Sequence, residues 1–222
     1  MLFFFLSVSP LTSWSQNEKY RLFLTLGISA TSYKGDLSDR YQSWSGGFDA
    51  SLLFNKKHRM NGCFHLNIGS VQGENNNYSV TDNPSATPNT FFTTNYFSLG
   101  YELRINILKN ERWLIFVSPG IQALRFNPRD QFKESLTNQF STRAKNETFN
   151  PLTISLPLKL GGAYFTKHGF GLGCEIGFLH PSSDYIDNIS EWGNRSKKDN
   201  LLQSVFKIYI PIKQFHREAA GG

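Results

Sequence analysis

Eight separate stretches of this sequence alternate apolar and polar residues with a period of two, which restricts the chain to an antiparallel sheet more tightly than any other feature. The apolar rows begin with Leu22, Leu24, Leu26, Ile28; Phe48, Ala50, Leu52, Phe54; Phe64, Leu66, Ile68; and Phe97, Leu99, Tyr101, Leu103, Ile105. They continue with Trp113, Ile115, Val117, Pro119, Ile121, Ala123; Leu152, Ile154, Leu156, Leu158, Leu160; Phe170, Leu172, Cys174, Ile176, Phe178; and Leu202, Phe206, Ile208, Ile210, Ile212. After the N-terminal segment no apolar run of about 18 residues occurs, so helical membrane spans are excluded.

Alternation alone does not say which face is wet, because a soluble barrel with an apolar interior alternates in the same way. The composition of the opposite parity decides. It holds Asp49, Ser51, His65, Asn67, Glu102, Arg104, Ser118, Gln122, Ser155, Lys159, Glu175, Gln203 and Lys207, interleaved with Gly27, Gly120, Gly161, Gly171, Gly173 and Gly177. Three carboxylates (Asp49, Glu102, Glu175) match three bases (Arg104, Lys159, Lys207). A narrow eight-stranded barrel is filled by side chains, so charge inside it must be paired, and glycines make room for long basic side chains. A solvated face tolerates any sum and carries more Lys and fewer Gly. The expected lumen network is therefore Asp49, His65, Glu102, Arg104, Lys159, Glu175 and Lys207, with the leucine and phenylalanine rows against outer-membrane lipid. A turn centred near Lys167 predicts a cross-strand ion pair between Lys159 and Glu175.

Short connections (Asn55 to Asn61, Lys109 to Arg112, Thr166 to Gly169) alternate without exception with long polar ones (Tyr33 to Ser45, Gln72 to Asn89, Asn127 to Asn150, Pro181 to Asn200). Outer-membrane barrels have this order. The expected fold is all-β: an eight-stranded antiparallel transmembrane up-and-down β-barrel of the outer membrane, with short periplasmic turns and long extracellular loops. The Gly, Ser, Asn and Pro clusters of the long connections predict solvated loops. Aromatics near strand ends, namely Tyr20, Trp44, Phe54, Phe91, Phe92, Tyr96, Trp113, Phe126, Tyr164, Phe165 and Phe170, suit two interfacial girdles.

At 222 residues the chain accommodates one domain, and 15% aromatic residues beside 18% charged ones argue against disorder. The apolar run from Met1 to Leu11, followed by Ser13 and Ser15, reads as a secretory signal over residues 1–15 cleaved before Gln16, with the barrel domain over 16–222. The run lacks the Lys or Arg of an n-region, which points to a start codon upstream, and no Cys follows the cleavage position to take a lipid anchor. Cys63 and Cys174 fall on opposite parities of their strands and are expected free.

The formal charge of +6 sits at one end of this topology. Terminal segments and short turns hold Lys19, Arg21, Lys56, Lys57, Arg59, Lys109, Arg112, Lys167, Lys213 and Arg217 against Glu18, Glu111 and Glu218, a surplus that accounts for the whole net charge. That placement argues against nucleic acid. It fits an acidic periplasmic partner or anionic head groups, with Lys56, Lys57, Arg59, Lys109, Arg112 and Lys167 as candidate contacts; bases that merely decorate wet turns would give the same count. His58, His65, His168, His180 and His216 show no metal-ligand spacing, and no G-x-S-x-G elbow occurs, so no metal, cofactor or catalytic residue is expected. Any acid–base chemistry would centre on His65 and the lumen carboxylates.

Three loop-edge motifs add a resemblance. Tyr33-Lys-Gly-Asp-Leu after the first strand, Arg125-Phe-Asn-Pro at the end of the fifth and Asp184-Tyr-Ile-Asp-Asn-Ile-Ser after the seventh look like those of small outer-membrane barrels of Bacteroidota, and the chain resembles the PorG-like group associated with the type IX secretion system. The resemblance implies a non-enzymatic barrel that serves a protein-secretion machine as accessory or scaffold and touches a periplasmic ring of a lipoprotein and its companion subunit. Outer-membrane barrels often finish in an aromatic residue; here Phe215 is followed by the tail His216 to Gly222. A stand-alone barrel that stabilises the envelope, binds surface ligands or mediates adhesion is the alternative, and a membrane-embedded enzyme the third reading. Physically, Gly35 with Asp36 turns the chain out of the sheet, Pro128 stops strand pairing, and Asp184, Asp187 and Asn188 cap backbone amides.

Overall fold

The structure is a computed structural model that describes residues 20–55, 59–80, 85–144, 148–193 and 198–212. The eight alternating stretches form β1 (Leu22–Lys34), β2 (Trp44–Phe54), β3 (Met60–Glu74), β4 (Phe91–Lys109), β5 (Trp113–Arg129), β6 (Leu152–Phe165), β7 (Gly171–Pro181) and β8 (Asn200–Ile212). Each strand pairs antiparallel with the next, and β8 returns to β1 from Leu22↔Ile212 to Lys34↔Asn200, which closes the barrel. Closure leaves no edge of unpaired amides and carbonyls, the condition for placing a sheet in hydrocarbon.

The closed sheet is staggered. Register partners lead from Phe23 to Leu53, Cys63, Glu102 and Gly120, across to Pro157 packed on Gly120, then to Leu179 and Leu201, and return to β1 at Tyr33, ten residues beyond Phe23. That stagger over eight strands corresponds to a tilt of about 35–45° and a bore that side chains can fill. The apolar rows face outward, with Phe48 71% exposed and the Leu152 to Leu160 row about half exposed. Such a row runs about 27 Å along its strand at ~3.4 Å per residue, and tilting brings it near the roughly 25 Å apolar band of a membrane barrel. The protein is therefore an integral outer-membrane barrel. The described parts of the long connections within 35–43, 75–90, 130–151 and 182–199 (outer loops 1 to 4) lie at one end, and those of the turns within 55–59, 110–112 and 166–170 at the other, periplasmic end. Cys63 faces the bore and Cys174 faces outward, both free.

Two expectations change. Trp44, Trp113, Tyr164 and Phe170 do face outward near strand ends, but Phe92, Tyr96, Phe126 and Phe165 are buried in the bore and Tyr20 packs edge-on against Phe23. Nearness to a strand end suits a girdle, yet parity decides the face. Pro128 does not stop pairing with β4: it sits opposite Thr94, beyond the last β5–β6 pair Arg125↔Leu152, where β5 keeps a single neighbour and the ring is tolerated.

Glycine placement follows from the charge inside. In register, Gly27 and Gly173 flank Lys207, Gly161 faces Glu175, Gly177 faces Lys159, Gly120 faces Glu102 and Gly100 faces His65. A Cβ at Gly177 would strike Lys159 and the Leu158 carbonyl, and one at Gly161 would meet Glu175 and the Phe116 ring. Each long polar side chain thus occupies space that a neighbouring strand leaves empty. Gly177→Leu is expected to destabilise the barrel by about 1–3 kcal/mol through overpacking, seen as a lower temperature for conversion of the folded to the unfolded band on gels. Ile176→Leu, one position away on the lipid face, should leave that temperature unchanged.

Candidate functional site

The bore is filled in three layers. At the periplasmic end Phe23, Leu53, Cys63, Leu114, Phe116, Ala163, Phe165 and Tyr209 form an apolar cluster, with Phe165 edge-on to Phe23 and Tyr209 at centroid distances of 5.5 and 5.3 Å. Such edge-to-face stacking suits aromatic rings meeting across a narrow space.

The middle layer gathers all seven expected lumen residues, each 3% exposed or less. Lys207 Nζ lies 2.9 Å from Asp49 and 2.8 Å from Glu175. Arg104 Nη2 donates to Glu175 Oε1 at 2.7 Å, and Lys159 Nζ donates to Glu102 Oε1 at 2.7 Å. His65 Nε2 stands 2.5 Å from Asp49 Oδ2 and 3.3 Å from Lys159 Nζ, joining the two halves into one network. Ser118 donates to Glu102 at 2.9 Å. Arg104 also lies over the Phe116 ring at 4.4 Å and donates to the Tyr209 hydroxyl at 3.2 Å, which ties this layer to the periplasmic cluster. On the outer side Gln203 Nε2 donates to Asn67 and to the Tyr96 hydroxyl, both at 3.1 Å. With aromatic layers on both sides, His65 is out of reach of a lipid substrate.

Lys159 and Glu175 do not pair with each other. The β6–β7 turn is closed by Thr166 N donating to Phe170 O and Gly169 N donating to Thr166 O, with Gly169 at φ 87°. This centres the hairpin on His168, one residue beyond the expected position. Lys159 then faces Gly177 and Glu175 faces Gly161, so Lys159 reaches Glu102 while Glu175 takes Arg104 and Lys207. Removing one member of a buried network strands its partners. Lys207→Met is expected to cost about 3–5 kcal/mol in denaturant unfolding from detergent, and adding Glu175→Gln should recover part of the loss; a double variant no better than the single one would contradict this coupling.

The third layer corrects the expectation of solvated loops. Leu37 of loop 1, Leu136 of loop 3, and Ile186 and Ile189 of loop 4 are buried against Tyr33, Val71, Phe92, Tyr96, Leu124, Phe126, Leu179 and Leu201 at the outer end of the bore. The strand residues there are apolar and inward, and folding the loops over them removes that surface from water. The Tyr33 hydroxyl donates to Asp187 Oδ2 at 2.6 Å and to Asp199 Oδ1 at 3.0 Å. Asp187 accepts from Ile189 N and Asp199 from Ile186 N, each at 2.9 Å, and Asp184 accepts from Asp199 N at 3.1 Å. Asp184 and Asp187 thus cap amides as expected. Asn188 does not: at φ 73° its side chain accepts from Arg143 Nε at 2.7 Å and donates to Asn89 and Thr142. Gly35 N donates to Ser38 O at 3.0 Å, the tight turn expected at Gly35 and Asp36. All three loop-edge motifs therefore contribute to one cap.

Burial pushes the loop 4 carboxyls up, Asp184 to about 6 and Asp187 and Asp199 well above the usual range. Neighbouring acids add to this: Asp36 raises Asp184 and Asp187, Asp184 raises Asp187 and Asp199, and Asp187 raises Asp199, while Lys198 partly offsets the effect at Asp184. An acid that holds its proton more tightly in the closed cap penalises closure once pH exceeds its open-state value, about 3.9. The cap should be tightest below pH about 4 and loosen as pH rises, the Asp184 contribution lost by pH about 6 and those of Asp187 and Asp199 at higher pH. Hydrogen exchange at Ile186 and Ile189, corrected for intrinsic rates, should show falling protection with pH, and Asp199→Asn should flatten the trend.

Of the expected periplasmic contacts, Lys56 and Lys57 lie outside the described residues, as does the segment read as a signal. Arg59, Arg112 and Lys167 are exposed on the three short turns, with Arg21 exposed at the same end. Lys109 is half-buried and donates to Asn55 Oδ1 at 2.9 Å, so it helps to hold the rim in shape.

No protein-family profile matches the sequence, and no curated protein matches it. Among solved structures the chain is similar to Neisserial surface protein A, with 7% identity over 86% of this chain and 97% of that one and a TM-score of 0.55. It also aligns with Ail, the attachment invasion locus protein of Yersinia pestis, at 11% identity over 85% and 96% of the two chains with a TM-score of 0.49. The outer membrane enzyme PagL aligns at 9% identity over 85% and 99%, with a TM-score of 0.42. The likeness to Neisserial surface protein A is one of fold, that of the eight-stranded outer-membrane barrel.

Proposed function

We propose that this barrel is a non-conducting, non-enzymatic scaffold that acts through its rims, as an accessory component of a protein-secretion machine of the type IX kind. The observation that carries the reading is the filled bore: an apolar cluster, a neutralised ion layer and a loop-built cap succeed one another from the periplasmic to the outer end. A solute finds no channel through such a stack, and a substrate finds no way to the buried histidine and carboxylates. Function is left to the surfaces at the two ends.

The exposed bases Arg59, Arg112 and Lys167 on the periplasmic turns suit an acidic partner, which in the PorG-like group would be the lipoprotein ring. The three motifs that carry the resemblance meet in this chain, where Tyr33, Phe126 and Ile189 pack in one cap and Asp187 accepts from the Tyr33 hydroxyl. A second reading, a stand-alone surface or adhesion barrel, is favoured by Phe132 and Phe140 of loop 3, which are 75% and 79% exposed on the outer side.

Affinity capture from solubilised envelopes separates the two. Reversing Arg59, Arg112 and Lys167 to Glu should reduce recovery of periplasmic subunits by about tenfold, as should high salt; undiminished recovery would remove the basic rim from the proposal. In planar bilayers the protein should give no stable conductance steps.

A further inference from the structure

The outward faces of β4 and β5 change character at one level. Arg125 lies in register between Phe97 of β4 and Leu152 of β6, both exposed on the lipid side, so its side chain leaves the sheet at the upper border of the apolar belt. Two residues further out Asn127 faces Asn95, and two beyond that Arg129 faces Thr93, all on the same outward parity. On the β3 side Ser70 faces Asn95 and Gln72 faces Thr93. The result is a donor-rich wall continuous with the lipid-facing surface. Among the described residues no carboxylate is ion-paired with Arg125 or Arg129. Two acids at neighbouring strand ends are engaged elsewhere: Glu74 accepts from Asn76 at 2.7 Å, and Asp130 accepts from the amides of Phe132 and Glu134 and from Gln139. Lys34, the outward base at the end of β1, instead lies over the Tyr41 ring of its own loop.

We propose that this wall binds the phosphate groups of a glycolipid in the outer leaflet. At the border of hydrocarbon an arginine reaches head-group depth, where its charge costs little and where the phosphates of the outer leaflet lie within its reach. Guanidinium matches phosphate with paired N–H donors, and Asn95, Thr93 and Gln72 add neutral donors around it, while Asn127 Oδ1 accepts from Ser135 and Thr137 of loop 3. Arg125 and Arg129 stand about 13 Å apart along the strand, so each takes its own phosphate.

The test is a titration of the detergent-purified full chain with diphosphoryl lipid A, read by native mass spectrometry. The wild type should retain the lipid, and Arg125→Gln/Arg129→Gln should bind about tenfold more weakly. Arg21→Gln, at the opposite rim and outside the proposed partner contacts, should bind as the wild type does. Dephosphorylated lipid A should bind the wild type weakly, and inorganic phosphate in excess should not displace the lipid. Undiminished binding by the Arg125/Arg129 variant, or equal binding of the dephosphorylated lipid, would overturn the proposal; displacement by inorganic phosphate would reduce the wall to a simple anion site and overturn the lipid assignment. The folded band on unheated gels confirms that the variants fold, and the two wild-type arms decide the matter if they do not.

Discussion

Eight strands closed with a stagger of ten set the cross-section of this barrel, and the rest of the interior answers to that fixed width. A bore of that width is one that side chains can fill, so the inward positions are occupied by groups matched in volume to their neighbours. Where one strand contributes Lys207, Glu175 or Lys159, the adjoining strand contributes glycine. Where it contributes Phe116 or Phe165, the adjoining strand likewise contributes Gly161 or Gly171. Volume is shared across the sheet, which makes the glycines as much a part of the ion network as the charged residues.

The same width governs the electrostatics. Charges held in so confined a space are stripped of water, and attraction offsets that loss only when each charge meets a partner at close range. Lys207 between Asp49 and Glu175, and Lys159 beside Glu102 and His65, meet this condition. Arg104 adds contacts with two aromatic rings, so its planar cation joins the polar middle to the apolar end. The two ends are closed by different means. At the periplasmic end the buried cluster is made of strand side chains with Tyr20 packed against it, whereas the outer end borrows Leu37, Leu136, Ile186 and Ile189 from three loops.

What could be read in the sequence was whatever depends on local alternation. Leu156 and Lys159 declare opposite faces of one strand because a period of two needs only near neighbours, and the matched acids and bases follow from listing one parity. Pairing across strands depends on turn geometry, and the positive φ of Gly169 moves the β6–β7 register by enough to send Lys159 to Glu102 in place of Glu175. The cap was hidden for another reason. Leu37, Ile186 and Ile189 stand in irregular, polar loops without a period, and only a count of large aliphatic residues within them hints at burial. The resemblance drew on those same loop edges, so its motifs marked the cap without showing what they build.

Tyr33 belongs to the first strand, while Asp199 immediately precedes the last and lies 166 residues away in sequence. These two strands become neighbours only when the sheet has rolled into a complete cylinder. Their hydroxyl–carboxylate contact, and with it the shape of loop 4, is consequently a property of the finished molecule and of no partly assembled precursor. A recognition partner on the cell surface would thereby meet the mature outer contour only on barrels whose seam is shut.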